Sequence, residues 1–131
     1  MGRIPYGIEC VEEKYDYIRS IISHRKNIML SDSLEIREDM FPLCDFSMSS
    51  PPYYPVDPTS SIGKDGDYAT YLRDIADIYR RLGRCMRKDA YIIIEVSNLR
   101  DDIFVPLAWD IAREVSKYLT FVQEVVVGWE D

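Results

Sequence analysis

At 131 residues, 47% hydrophobic and 30% charged, the chain is long enough for one domain with a real core and has a globular composition. Its longest apolar run, residues 90–94, falls far short of the roughly 20 residues of a membrane span, and no apolar segment follows the first five residues as a secretion signal would require. The net charge of −7 argues against a chain that grips a phosphate backbone by itself, so any affinity for DNA is expected to come from other segments.

Residues 6–10 are a short apolar run broken by Gly7 and ending beside acidic residues, which reads as a strand. Val11, Tyr15, Ile18 and Ile22 then recur at helical spacing and predict an amphipathic helix to about His24. Residues 27–30 form a second short strand, ending in Ser31-Asp32-Ser33, and residues 44–48 form a third that runs into Pro51-Pro52. The proline- and glycine-containing stretch 54–67 is a loop. Asp67 is placed to cap a long helix whose face carries Tyr68, Leu72, Ile75, Tyr79, Leu82 and Met86.

Residues 90–96, rich in isoleucine and valine and interrupted only by Glu95, read as a strand buried on both faces of a parallel sheet. Phe104, Leu107, Ala108, Ile111 and Val115 mark another helix, and residues 118–129 a closing valine-rich strand. Strands alternating with helices predict an α/β fold with a doubly wound, mostly parallel sheet, here one domain over residues 1–131.

Chemistry concentrates in Ser50-Pro51-Pro52-Tyr53, which follows an apolar strand directly. Two prolines remove two backbone donors and hold the chain extended, leaving carbonyls free at the sheet edge where open α/β proteins bind ligands. An exocyclic amine on cytosine or adenine is a poor nucleophile, because its lone pair is delocalised into the ring. The Ser50 hydroxyl and the Pro51 carbonyl can accept both amine hydrogens and favour a tetrahedral nitrogen, while Tyr53 offers a stacking face for an extruded base.

This string resembles motif IV of the S-adenosylmethionine-dependent amino-methyltransferases, (Asp/Asn/Ser)-Pro-Pro-(Tyr/Phe/Trp), whose Ser form leans toward N4-cytosine enzymes and whose Asp form leans toward N6-adenine enzymes. Residues 2–9 followed by a helix are similar to the family's motif II, which implies that Glu9 binds the cofactor ribose, with Glu12 and Glu13 as rival carboxylates. Residues 27–33 resemble motif III and imply that Asp32, with Ser33 beside it, approaches the cofactor adenine. Residues 71–96 are similar to the motif V and VI region, and residues 127–129 to motif VIII. The resemblance implies a Rossmann-like methyltransferase sheet with an antiparallel last strand, S-adenosyl-L-methionine as cofactor, and catalytic Ser50, Pro51, Pro52 and Tyr53, with Ser50 also at the cofactor.

The sequence departs from that family in two respects. No glycine-rich motif I loop is present, and no target-recognition region. The family's first strand, which lies between the strand ending at Glu9 and the one ending at Ser50, is therefore expected from elsewhere: a longer protein, a complementary chain of a split enzyme, or a second copy. RNA base methylation and a non-catalytic methyltransferase-like subunit are the alternative functions.

Cys10, Cys44 and Cys85 form no CxxC pair, so reduced thiols and a cytoplasmic location are expected, and no ligand spacing points to a metal. His24 reads as a surface residue at a helix end, Asp65, Asp67, Asp74 and Asp77 as solvated, and Trp109 and Trp129 as packing residues. Arg80, Arg81, Arg84, Arg87 and Lys88 suit a helix C-terminus. Tyr54 is a second candidate for the stacking face.

Overall fold

The computed structural model describes residues 2–56, 60–64, 66–100 and 102–128. Strand β1 (Gly7–Glu9), helix α1 (Glu12–Ile21) and strand β2 (Ile28–Leu30) form one parallel unit. Strand β3 (Cys44–Ser49), helix α2 (Tyr68–Arg84) and strand β4 (Met86–Ile94) form a second. Strands β5 (Leu99–Arg100) and β6 (Phe104–Val105) make a short antiparallel hairpin that leads into helix α3 (Leu107–Val115). The protein is thus mixed α/β, and among the described residues it has two parallel strand pairs and one antiparallel pair, each a two-stranded sheet. A continuous doubly wound sheet is not formed: among the described residues no ladder joins β1 to β3.

Helix α2 organises the interior. The Asp67 carboxylate accepts the Thr70 N–H at 2.5 Å, satisfying an orphan donor of the first turn as expected of the cap. One face then buries Tyr71, Leu72, Ile75, Ala76, Ile78 and Tyr79. Helix α3 buries Leu107, Ile111 and Val115, four residues apart, and packs against α2. Gly83 lets the chain beyond α3 come close, since a Cβ there would stand 2.8 Å from Leu119 Cδ2. Met86 lies past the end of this helix and opens β4.

Four expectations fail. Helix α1 stops at Ile21, because Ile22 is already extended (φ −98°, ψ 150°), so His24 lies in the turn that precedes the short 3-10 segment Arg25–Asn27. Strand β4 is not buried on both faces. Ile92 and Ile94 pack toward the core, while Tyr91 is 61% exposed and, in register with Phe46, shares an open face with Met48 and Ile93. The reason is one-sided cover, since α2 lies against the opposite face and the Arg3 guanidinium, 5.9 Å from the Phe46 ring, is the one cation placed over the open one among the described residues.

The closing strand does not form over residues 118–128. Without a partner edge its amides gain nothing from extension, and Val126 is 85% exposed. The antiparallel pairing falls on β5 and β6 instead. Trp109 is not a packing residue either: it is 57% exposed and meets Phe104 edge-to-face. Trp129 and Asp65 lie outside the described residues.

The difference between the two faces is measurable. Ile75→Ala should cost about 2–5 kcal/mol in urea unfolding, as a cavity in a closed core does, whereas Tyr91→Ser on the open face should stay within about 0.5 kcal/mol. Equal losses would mean that the open face of β3 and β4 is covered.

Candidate active site at the end of strand β3

Strand β3 holds its ladder with β4 until Ser49, whose carbonyl accepts the Glu95 N–H at 3.0 Å. Beyond it Pro51 and Pro52 have no amide hydrogen, so the ladder must end there. Ser50 and Pro52 are exposed, Pro51 is half-buried and Tyr53 is 39% exposed. The segment therefore leaves the sheet at its carboxyl edge and stays accessible.

Tyrosines hold the segment in place. Tyr71, wholly buried, donates its hydroxyl to the Pro52 carbonyl at 2.7 Å. The Tyr53 hydroxyl accepts the Ser97 N–H at 3.1 Å, which ties the distal end of its ring to the chain just past β4. Tyr54 turns inward. Its ring meets Tyr68 and Tyr71 at 5.1 and 5.6 Å, and its hydroxyl donates to the Gly66 carbonyl. The choice between the two candidate stacking residues thus has a geometric content: Tyr54 is half-buried in an aromatic cluster, and Tyr53 is open. Among the described residues neither the Ser50 hydroxyl nor the Pro51 carbonyl has a hydrogen-bond partner.

Two of the aspartates expected in solvent build this loop. Asp67 caps α2, and Asp74 accepts the Gly63 N–H at 2.7 Å. Gly63 takes φ +64° with Tyr71 Cβ 3.0 Å from where its own Cβ would be, so both backbone conformation and space require glycine there. Asp77 is bound by Arg80 and Arg81. Arg84 faces Glu38 and Arg87 pairs with Asp45, so most of the basic cluster is spent on neighbouring carboxylates.

The cofactor candidates meet at the carboxyl edge of the other pair. Glu9 ends β1, and its carbonyl accepts the Ser31 N–H at 3.1 Å, which brings it beside the Ser31-Asp32-Ser33 turn. One Glu9 carboxylate oxygen accepts the Val11 N–H at 2.9 Å, a local bond at the entry to α1. One Asp32 oxygen accepts the Leu34 N–H at 2.8 Å and caps the 3-10 turn Ser33–Glu35. Each carboxylate keeps a second oxygen with no partner among the described residues. Ser33 is half-buried, and Glu12 and Glu13 stand exposed in the first turn of α1. No hydrogen bond joins the Glu9–Asp32 group to the Ser50–Tyr53 group among the described residues. A depression of about 310 Å³ lies elsewhere, at the other end of α2, lined by Ile36, Arg37, Glu38, Asp39, Arg81 and Arg84.

Tyr71 and Ser97 are the site residues that sequence reasoning missed. Tyr71 had a signal, since Tyr71, Ile75 and Tyr79 recur four apart and so share a helix face. Ser97 had none: its backbone N–H reaches the Tyr53 hydroxyl at 3.1 Å and its Oγ accepts from that hydroxyl at 3.4 Å, a pairing across 44 residues that no local pattern marks.

Burial pushes the Tyr71 hydroxyl up to about 12, with Tyr79 and Tyr53 adding to the shift, and burial plus the 2.9 Å bond to Asp110 raises Tyr68 as well. The folded protein therefore keeps a proton that the unfolded chain loses near pH 10. Stability should be full below pH 10 and fall as pH rises toward 12. Alkaline titration by phenolate absorbance should show a late fraction that Tyr71→Phe reduces. An unchanged titration would contradict the placement of Tyr71. No family model, curated protein or solved structure matches this chain, so the reading of this edge rests on its own residues.

Proposed function

We propose that this chain is part of a Rossmann-like, S-adenosyl-L-methionine-dependent methyltransferase that modifies the exocyclic amine of a DNA base, N4 of cytosine ahead of N6 of adenine. One observation carries the reading. At the accessible end of a parallel strand, two acceptors, Ser50 Oγ and the Pro51 carbonyl, stand without partners among the described residues beside the open ring of Tyr53.

In this reading Ser50 and Pro51 accept the two amine hydrogens and draw the lone pair out of conjugation. The Tyr53 ring holds the base flat and offsets part of an extrusion cost of a few kcal/mol. The cofactor supplies an electrophilic methyl group on sulfur. Transfer of that methyl group would leave a neutral thioether on the cofactor, and the proton lost by the amine would depart to water on the side held by Ser50. Glu9 and Asp32 fit the cofactor because each keeps a carboxylate oxygen with no partner among the described residues, suited to the ribose hydroxyls and the adenine amine respectively.

The proposal includes a partner. β1 and β3 each have a ladder on one side, so a parallel strand between them, from another segment, a complementary chain or a second copy, would join both pairs into one sheet. Right-handed crossovers put α1 and α2 on opposite faces of such a sheet, which makes the β1–β3 gap its topological switch point. DNA contacts are assigned to those added segments, in keeping with the net charge of −7. A second reading, a non-catalytic methyltransferase-like subunit, is favoured by the local bonds from Glu9 to Val11 and from Asp32 to Leu34.

Incubation with methyl-labelled cofactor and duplex DNA, alone and with the completing segment, tests these readings. The expected product carries label on N4 of cytosine. Ser50→Ala should lower turnover about 100-fold and Tyr53→Ala should lower it about 10-fold, both with cofactor affinity held. Label in RNA alone would end the DNA reading, and absence of cofactor binding in calorimetry of the completed domain would favour the non-catalytic one.

A further inference from the structure

We infer that Tyr71 and the Ser97 amide are positioning groups of the Ser50–Tyr53 site, acting through the Pro52 carbonyl and the Tyr53 hydroxyl; this rests on the base-amine reading above. The Pro-Pro pair presents two carbonyls that chemistry alone does not distinguish. Tyr71 distinguishes them. Its ring is wholly buried between Tyr68, nearly parallel at 6.1 Å, and Tyr54, and its hydroxyl takes the Pro52 carbonyl at 2.7 Å. Pro51 is then the proline whose carbonyl has no partner among the described residues.

The same hydroxyl anchors the loop to α2, where side-chain motion is small because Ile75 and Tyr79 on the same face are buried as well. Burial raises the Tyr71 hydroxyl, so it stays a donor throughout the neutral range.

Tyr53 is held from the other side. A tyrosine ring on a loop rotates about two side-chain bonds, and a base stacked on a rotating ring has no fixed amine position. The Ser97 N–H, at 3.1 Å, pins the far end of the ring to the exit of β4. The two anchors lie on different elements, α2 and the segment after β4, and converge on consecutive residues, Pro52 and Tyr53. Together they define where an amine sits relative to Ser50, which a single anchor would leave free to swing.

The variants Tyr71→Phe and Tyr53→Phe each remove one hydroxyl and keep the ring. With 2-aminopurine deoxyriboside as probe, whose fluorescence falls on stacking, the wild-type chain should quench it and Tyr53→Ala should not. Tyr71→Phe and Tyr53→Phe should bind it 3- to 10-fold more weakly while their thermal midpoints stay within a few degrees of wild type. In the completed enzyme both should lower kcat about 10-fold and leave KM for the cofactor unchanged, a split that loss of general stability would not produce.

Wild-type quenching with undiminished binding and turnover by both phenylalanine variants would overturn the positioning roles and leave the base-amine site standing. Absence of quenching and of methyl transfer by the wild-type protein would overturn the site itself, and the positioning roles with it. If Tyr71→Phe proves unfolded, Tyr53→Phe, altered at an exposed ring, still decides the Ser97 half, and a normal Tyr53→Phe would overturn it.

Discussion

The contact between the buried Tyr71 hydroxyl and the Pro52 carbonyl joins the interior of this protein to its accessible edge. Such a bond adds only about 1 kcal/mol net, but leaving a buried hydroxyl unpaired costs about 1–3 kcal/mol. The Pro-Pro segment therefore follows α2. The buried face of α2 is set by Tyr71, Ile75 and Tyr79, the cap by Asp67, and the loop that feeds it by Gly63 against Tyr71 and Asp74 on the Gly63 N–H. The rigidity of the site derives from this helix more than from the prolines. The prolines forbid a continued ladder, and the tyrosine decides where the freed chain goes.

The rest of the architecture is conspicuous for what it leaves uncovered. β1–β2 and β3–β4 are each a parallel unit with its crossover helix, and among the described residues no further strand pairs with either. Phe46, Met48, Tyr91 and Ile93 face outward on a pair whose other face is packed. Natural sheets do not leave parallel edges and apolar faces to water without cause. The open β3 edge and the apolar face belong to the same strand pair, so one inserted strand with its own crossover helix would cover both. This is why the proposed function carries a partner.

How much of this was legible in the sequence varies by element. Helix α2, its Asp67 cap and the strand that enters Ser50 follow from periodicity, capping chemistry and proline, all local properties. Three of the four failures share one cause. Residues 90–96 read as a strand buried on both faces and residues 118–129 as a closing strand on apolar character alone, whereas cover and a pairing edge depend on neighbours. Trp109 failed in the same way. His24 was misplaced by extending a 3.6-residue period across Ile21–Ile22, where the backbone had already turned extended. In the site, Ser50 and Tyr53 were visible as residue types at a spacing. Ser97 meets Tyr53 from 44 residues away, and the division of labour between Tyr53 and Tyr54 appears only once Tyr68 and Tyr71 are in place.

The central claim is geometric, and a structure of the chain, joined to its completing segment, with deoxycytidine bound tests it most directly. The account predicts the exocyclic nitrogen within about 3 Å of both Ser50 Oγ and the Pro51 carbonyl, with the pyrimidine flat on Tyr53. A base bound with its amine directed away from Ser50, or density for the base only at the Phe104–Trp109 surface, would contradict it.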